Sequence, residues 1–201
     1  MLRWPIFISV CLAALATGCK KSEVPSYSPS SCAAEALKLY DANKDGGLEG
    51  DELKACPSLK VAMPQIDSDG NGKLTEAELT ARITSYQNQG VAAITLEALI
   101  LSNGESVPNA VVTLVPEEFM KAGLKQAKGT ANQNGRVFLA SEGNTAGNVQ
   151  LGLYRVEISL PGPGGEETLP AQWNKETTLG IEVSTDVPNL ERGIIVDLKR
   201  Q

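Results

Sequence analysis

Two twelve-residue segments, Asp41–Glu52 and Asp67–Glu78, constrain this chain more than any other feature. They read D-A-N-K-D-G-G-L-E-G-D-E and D-S-D-G-N-G-K-L-T-E-A-E. Asp41, Asn43 and Asp45 in the first, and Asp67, Asp69 and Asn71 in the second, place side-chain oxygens on alternate residues. A tight loop can bring alternate residues onto one point. Gly46 and Gly72 stand where such a loop must bend through a backbone conformation that a Cβ penalises. The carboxylates repel one another, so the segments call for a hard divalent cation that takes six to eight oxygens.

The spacing matches the EF-hand calcium loop at every diagnostic position, and the resemblance assigns the remaining ligands. Gly47 and Lys73 offer backbone carbonyls at the seventh position. Glu49 and Thr75 hold the ninth, which often acts through water. Glu52 and Glu78 close the two shells, each with two oxygens. Two calcium ions are expected. Leu48 and Leu74 fill the apolar position that couples paired loops through a short β-bridge. Thr75 and Glu78 also have capping-box spacing for an exit helix, on which Leu79, Ile83 and Tyr86 share a face. Only Leu53–Ile66 separates the loops, and Pro57 and Pro64 shorten its helices. This favours a rigid module over a hinged sensor, with affinity near that of extracellular modules, about 10⁻⁴ to 10⁻³ M.

The N-terminus reads as an export signal over residues 1–18. Arg3 is its positive start, and Ile6–Leu15 is an apolar run too short to span a bilayer. Ala16-Thr17-Gly18-Cys19 resembles the bacterial lipoprotein pattern, which implies acylation of Cys19 and a membrane-anchored protein of the bacterial cell envelope, facing periplasm or exterior. The family places Leu three residues before the cysteine, where this chain has Ala16; the alternative is a soluble secreted protein with an incidental Cys19. Residues 19–30 carry Lys20-Lys21 with serines and prolines and read as a tether, with Ser31 capping the first helix. Cys32 and Cys56 then remain as a pair, and in an exported protein the simplest expectation is a disulfide around the first loop, the alternative being two free thiols.

Residues 31–88 form the helical EF-hand pair of this reading. Beyond Gly90 the pattern turns to short β-branched runs: Ala93–Leu101, Ala110–Val115, Arg136–Ala140, Tyr154–Leu160, Thr178–Val183 and Gly193–Leu198. About seven strands imply an antiparallel sandwich over residues 91–201. The fold class is therefore multidomain α plus β, a small EF-hand pair followed by an all-β, prealbumin/transthyretin-like sandwich. Three runs carry a resemblance to the carboxypeptidase-regulatory-like domain of that type: Val107–Pro116, Gly129–Val137 and Gly152–Val156. Asn132 replaces the family's Asp, and Val137 its aromatic residue. Leu169–Asn174 and Thr177–Gly180 look like small bacterial lipoproteins of this kind, some of which put an EF-hand pair before the sandwich. The resemblance implies fold and location but no activity.

Histidine is absent from the chain, which removes the commonest general base and every Ser-His or Cys-His nucleophile. Glu117-Glu118 and Glu166-Glu167 read as solvated pairs rather than glycosidase carboxylates. Tyr154 is expected to point inward with its hydroxyl paired, and Trp173 to be a partly buried edge aromatic rather than a stacking platform. The formal charge of -6 argues against nucleic acid. A non-enzymatic protein results, with the membrane as partner through Cys19 and an envelope protein or glycan as partner of the sandwich. Its rival is a glycan- or peptide-binding module in which calcium is only structural.

Overall fold

A computed structural model describes residues 26–144 and 147–198. The export signal and Cys19 lie outside the described residues. Helix α1, Pro29–Tyr40, starts earlier than Ser31 because Pro29 presets the backbone of the first turn and Ser28 caps it, its Oγ accepting from Ser31 N–H at 3.4 Å. The last part of the expected tether is thus structured. Tyr27 packs on the core, and Gln87 Nε2 donates to its carbonyl at 2.9 Å.

The first loop follows α1 and contains β1, Gly47–Leu48. Its exit helix is cut to a single 3₁₀ turn, Glu52–Lys54, because Pro57 begins the next helix, α2, Pro57–Ile66. The second loop contains β2, Leu74–Thr75, and leads into α3, Glu76–Asn88. Strands β1 and β2 pair antiparallel, Gly47 with Thr75 and Leu48 with Leu74, and both leucines are fully buried. Along α3 the apolar face expected from the sequence, Leu79, Ile83 and Tyr86, is buried, and Arg82 is buried with it.

After α3 the described residues form nine strands: β3 (Ala93–Ser102), β4 (Glu105–Ser106), β5 (Val111–Pro116), β6 (Ala127–Thr130), β7 (Arg136–Ser141), β8 (Asn148–Gln150), β9 (Gly152–Ser159), β10 (Gly180–Val183) and β11 (Ile194–Asp197). They run in the order β10-β9-β5-β6-β7-β3-β11, with β4 and β8 also paired to β3. The pairing is mostly antiparallel, so the domain is α plus β as expected. The exception is β11. It reaches the far edge after a 3₁₀ turn at Leu190–Arg192 and lies parallel to β3, Ile194 opposite Ala98. Alternate residues point inward, as in Leu96, Ala98 and Ile100 of β3 or Val112 and Leu114 of β5, and join one core with the helices. Tyr154 is buried in that core and its hydroxyl donates to the Gln150 carbonyl at 2.9 Å. Among the described residues no helix is long and apolar enough to cross a membrane.

Among the contacts that fasten the helical unit to the sheet, three involve its packed helices and rings most directly. Gly180 on edge strand β10 lies against the start of α2, where an added Cβ would sit 2.2 Å from Ser58 N and 2.3 Å from the Pro57 carbonyl carbon. The Tyr40 and Phe119 rings meet edge to face, with centroids 6.4 Å apart. The third contact is ionic. Arg82 donates through Nε to Glu182 Oε1 at 2.6 Å, and through Nη1 and Nη2 to Asp186 at 2.7 and 2.8 Å. Tyr86 Oη donates to the same Glu182 oxygen at 2.5 Å.

Two expectations are corrected. Cys32 and Cys56 are both free, buried thiols, so the disulfide does not form. Cys32 sits near the start of α1 and is close to Tyr27, whereas Cys56 packs against Tyr40 at the other end of that helix, beside Ser58 and Glu117. Eight residues, about 12 Å of helix axis, separate those two ends, while a disulfide needs Cα atoms within about 7 Å. Burial, with the Glu117 carboxylate nearby, pushes the Cys56 thiol up to about 12. Glu117 is not solvated either, being only 3% exposed, while Glu118 is exposed and pairs with Lys121. The cause is the edge of the helical unit, which covers the turn after β5.

The Arg82 network makes a stability prediction. Arg82→Met should destabilise the protein by about 3–5 kcal/mol, because it leaves Glu182 buried and unpaired. Arg82→Met combined with Glu182→Leu should recover much of that loss, as removal of both charges leaves no orphan. Urea unfolding followed by circular dichroism measures both, and equal losses in the single and double variants would contradict the assignment.

Candidate metal centre

Each acidic loop is pre-shaped by its own backbone amides. In the first, Asp41 also ends α1, and its carboxylate accepts from Asp45 N–H at 3.2 Å and Gly46 N–H at 3.0 Å. Asn43 Oδ1 accepts from Asp45 N–H at 2.9 Å, and Asp45 Oδ1 from Gly47 N–H at 3.2 Å. The second repeats this, with Asp67 accepting from Gly70, Asn71 and Gly72 at 2.8, 3.2 and 2.9 Å. Asp69 accepts from Asn71 N–H at 3.1 Å, and Asn71 from Lys73 N–H at 2.7 Å. Gly46 and Gly72 have φ of +85° and +83°, as the bend requires.

The twelfth residues close the loops. Glu52 Oε1 accepts from Ala42 and Asn43 N–H at 2.8 and 3.2 Å, and its Oε2 from Glu49 N–H at 3.1 Å. Glu78 Oε1 accepts from Ser68 N–H and Oγ–H, and its Oε2 from Thr75 N–H and Oγ1–H at 3.0 and 2.8 Å. Thr75 Oγ1 accepts in return from Glu78 N–H at 3.3 Å, completing the capping box on α3. Partial burial of Glu78 favours its neutral form, yet the donors from Thr75 and Ser68 outweigh it and hold the carboxyl down to about 2.

The loops differ in how far their oxygens converge. Carboxylate oxygens of Asp67, Asp69 and Glu78 lie within 4.8 Å of one another, a spacing that suits one cation, and these are the residues the sequence pattern selects. Asp41, Asn43, Asp45, Gly47, Glu49 and Glu52 are gathered in the first loop, but there the ammonium of Lys73 reaches Asp45 Oδ1 at 2.7 Å. The side-chain hydrogen bond to Lys73 holds the Asp45 carboxyl low, and the same bond raises the Lys73 ammonium. Sequence reasoning placed Lys73 as a carbonyl donor to the second loop and missed this side-chain role. It also missed Ser68, whose second-position hydroxyl braces Glu78 without any pattern to announce it.

Residues 34–57 match the family model described as EF hand, a stretch that takes in most of α1, the whole first loop and the 3₁₀ turn after it. No curated protein and no solved structure matches the chain. The donor set fits a hard divalent cation, since every candidate ligand is an oxygen and at least three in each shell are carboxylates. Of the Glu166-Glu167 pair, expected to be solvated, both residues are exposed. Glu167 accepts from Leu160 and Leu169 N–H at 3.0 and 2.8 Å and from Ser159 Oγ–H, bracing the loop after β9. Trp173 is partly buried against the core.

Glu78 generates a pH dependence for the calcium-free protein. Its folded-state pKa of about 2 lies below the ordinary 4.5, so its stabilisation is complete above pH 4.5 and lost as pH falls toward 2. Thermal melting in chelator from pH 6 to pH 2 should therefore show a decline that is shallower in Glu78→Gln, a variant with no carboxyl left to titrate.

Proposed function

We propose that this chain is a calcium-binding, lipid-anchored protein of the bacterial cell envelope, with two ions in its paired EF-hand loops and a non-catalytic β-sandwich as interaction or spacer domain. The observation that carries the calcium reading is the convergence of Asp67, Asp69 and Glu78 in a loop bridged to a second loop of the same pattern. The EF-hand match over residues 34–57 supports it independently. In this reading Asp67, Asp69, Asn71, the Lys73 carbonyl and Glu78 hold one ion, with Thr75 at the ninth position. Asp41, Asn43, Asp45, the Gly47 carbonyl and Glu52 hold the other, with Glu49 at the ninth. Each ion neutralises carboxylates that otherwise repel, so binding adds to folding stability by mass action.

The sandwich assignment rests on where its motif residues fall. Val111–Pro116 is β5, Gly129-Thr130 ends β6, Gly135 turns into β7, and Gly152–Val156 opens β9, all four strands being adjacent in the sheet. The runs that carry the resemblance to a carboxypeptidase-regulatory-like, transthyretin-type domain thus fall on neighbouring strands, which supports that reading. Lipid attachment rests on the sequence around Cys19, after an apolar run and small residues. Multiple acyl chains at about 0.8 kcal/mol per buried CH₂ would hold the protein at a membrane surface.

Calorimetric titration with calcium should give two bound ions, and Glu52→Gln and Glu78→Gln should each remove one. At calcium one hundred times a site's dissociation constant each bound ion should add about 2.7 kcal/mol to the fold, read as a higher melting temperature. Indifference of heat and melting to millimolar calcium would defeat this reading. For the anchor, mass spectrometry of protein from bacterial membranes should find an acylated Cys19 as first residue, and Cys19→Ala should release the protein into the soluble fraction.

A further inference from the structure

The two loops are unequal, and the difference lies in one side chain. Lys73 belongs to the second loop by position but reaches into the first by its ammonium. Its Nζ is 2.7 Å from Asp45 Oδ1 and 3.3 Å from the Asp45 carbonyl oxygen. Asp41 and Glu49 of the first loop also act on it electrostatically. The first loop thus already has a positive charge beside its fifth-position ligand, and the second loop has none of this kind.

The path of this side chain depends on the first loop's own sequence. Gly47 pairs with Thr75, so Lys73 is its diagonal neighbour across the β1–β2 bridge. The lysine stem lies over Gly47: a Cβ there would be 2.2 Å from Lys73 Cε and 2.6 Å from Cγ. A glycine at position 47 leaves the groove through which the ammonium reaches Asp45. The second loop has Lys73 itself at the matching seventh position, so no reciprocal groove exists and no cation returns from the first loop.

Resting on the calcium reading above, we propose that Lys73 is a specificity-determining residue that serves as the first loop's built-in counter-ion, so that calcium fills the second loop first and enters the first only as the ammonium leaves Asp45. The second loop uses Lys73 only through its backbone, the N–H donating to Asn71 and the carbonyl facing the ion. Filling it requires no movement of the side chain. Filling the first loop exchanges an ammonium for the metal at Asp45, and the displaced lysine turns out to solvent.

The test is calcium titration calorimetry on the full chain in mild detergent, comparing wild type with Lys73→Met and Lys73→Arg. Methionine keeps the apolar stem and removes the charge, and arginine keeps the charge. Wild type should show two separated steps, the tighter lost in Glu78→Gln and the weaker in Glu52→Gln. Lys73→Met should tighten the weaker step by about three- to tenfold and leave the other within twofold, while Lys73→Arg stays near wild type. Two constants unchanged by Lys73→Met, or a tighter step assigned by Glu52→Gln to the first loop, would overturn the proposal while leaving calcium binding intact. No heat in wild type or in Lys73→Met would remove both the proposal and the calcium reading beneath it.

Discussion

The buried ion pair between Arg82 and Glu182 holds the helices around the acidic loops and the sheet in one frame. Arg82 is 8% exposed and Glu182 2%, so both charges have left most of their water. Such a pair is retained only when geometry and extra hydrogen bonds offset the desolvation. Those extra bonds come from Asp186, which takes the other side of the guanidinium, and from Tyr86, which shares the Glu182 oxygen. The guanidinium also lies 5.4 Å from the centre of the Tyr86 ring. The partners come from two stretches about a hundred residues apart, Arg82 and Tyr86 on α3 and Glu182 and Asp186 at the end of β10, so the network fixes one docking of α3 on that edge of the sheet. The remaining contacts follow from that docking, including the close approach of Pro57 and Ser58 to Gly180.

Helix α3 therefore carries two loads. Its first turn is set by Thr75 and Glu78, one of which closes the second acidic loop, and its next turn presents Arg82 to the sheet. Glu78 and Arg82 are four residues apart, one helical turn, so the loop geometry and the domain interface share a rigid segment of about 6 Å. The loop-side end is built from short-range bonds and the sheet-side end from contacts a hundred residues away in sequence.

That division explains what was legible in the sequence. The loops could be read residue by residue, because ligands of one ion lie within twelve positions and their spacing is fixed by backbone geometry. The capping box and the inward Tyr154 were legible as local patterns, and the Leu48–Leu74 bridge followed from the resemblance to paired EF-hand loops. The cysteine pairing failed because it depends on which end of α1 each thiol meets, a tertiary fact. Glu117 was misjudged likewise: in sequence it pairs with Glu118, which is exposed, and the helical unit that covers it is about sixty residues away. Arg82 did leave a trace. It interrupts the apolar face of α3 between Leu79 and Tyr86, and a basic residue inside a buried stripe calls for an acid across the interface.

The same docking bears on what an ion could do here. EF-hand sensors respond by swinging helices apart to expose a groove. In this chain α3 cannot swing without stripping Arg82 from Glu182 and Asp186 and leaving a nearly buried carboxylate alone, while Tyr86 loses its acceptor. Helix α2 is held as firmly, because Gly180 lets its first residues contact the backbone of β10. The exit helix of the first loop, a 3₁₀ turn of three residues, is too short to act as a lever. A cation bound in the loops would then find no outlet as motion and would act as stiffness, tightening the start of α3 and, one turn later, its grip on the sheet.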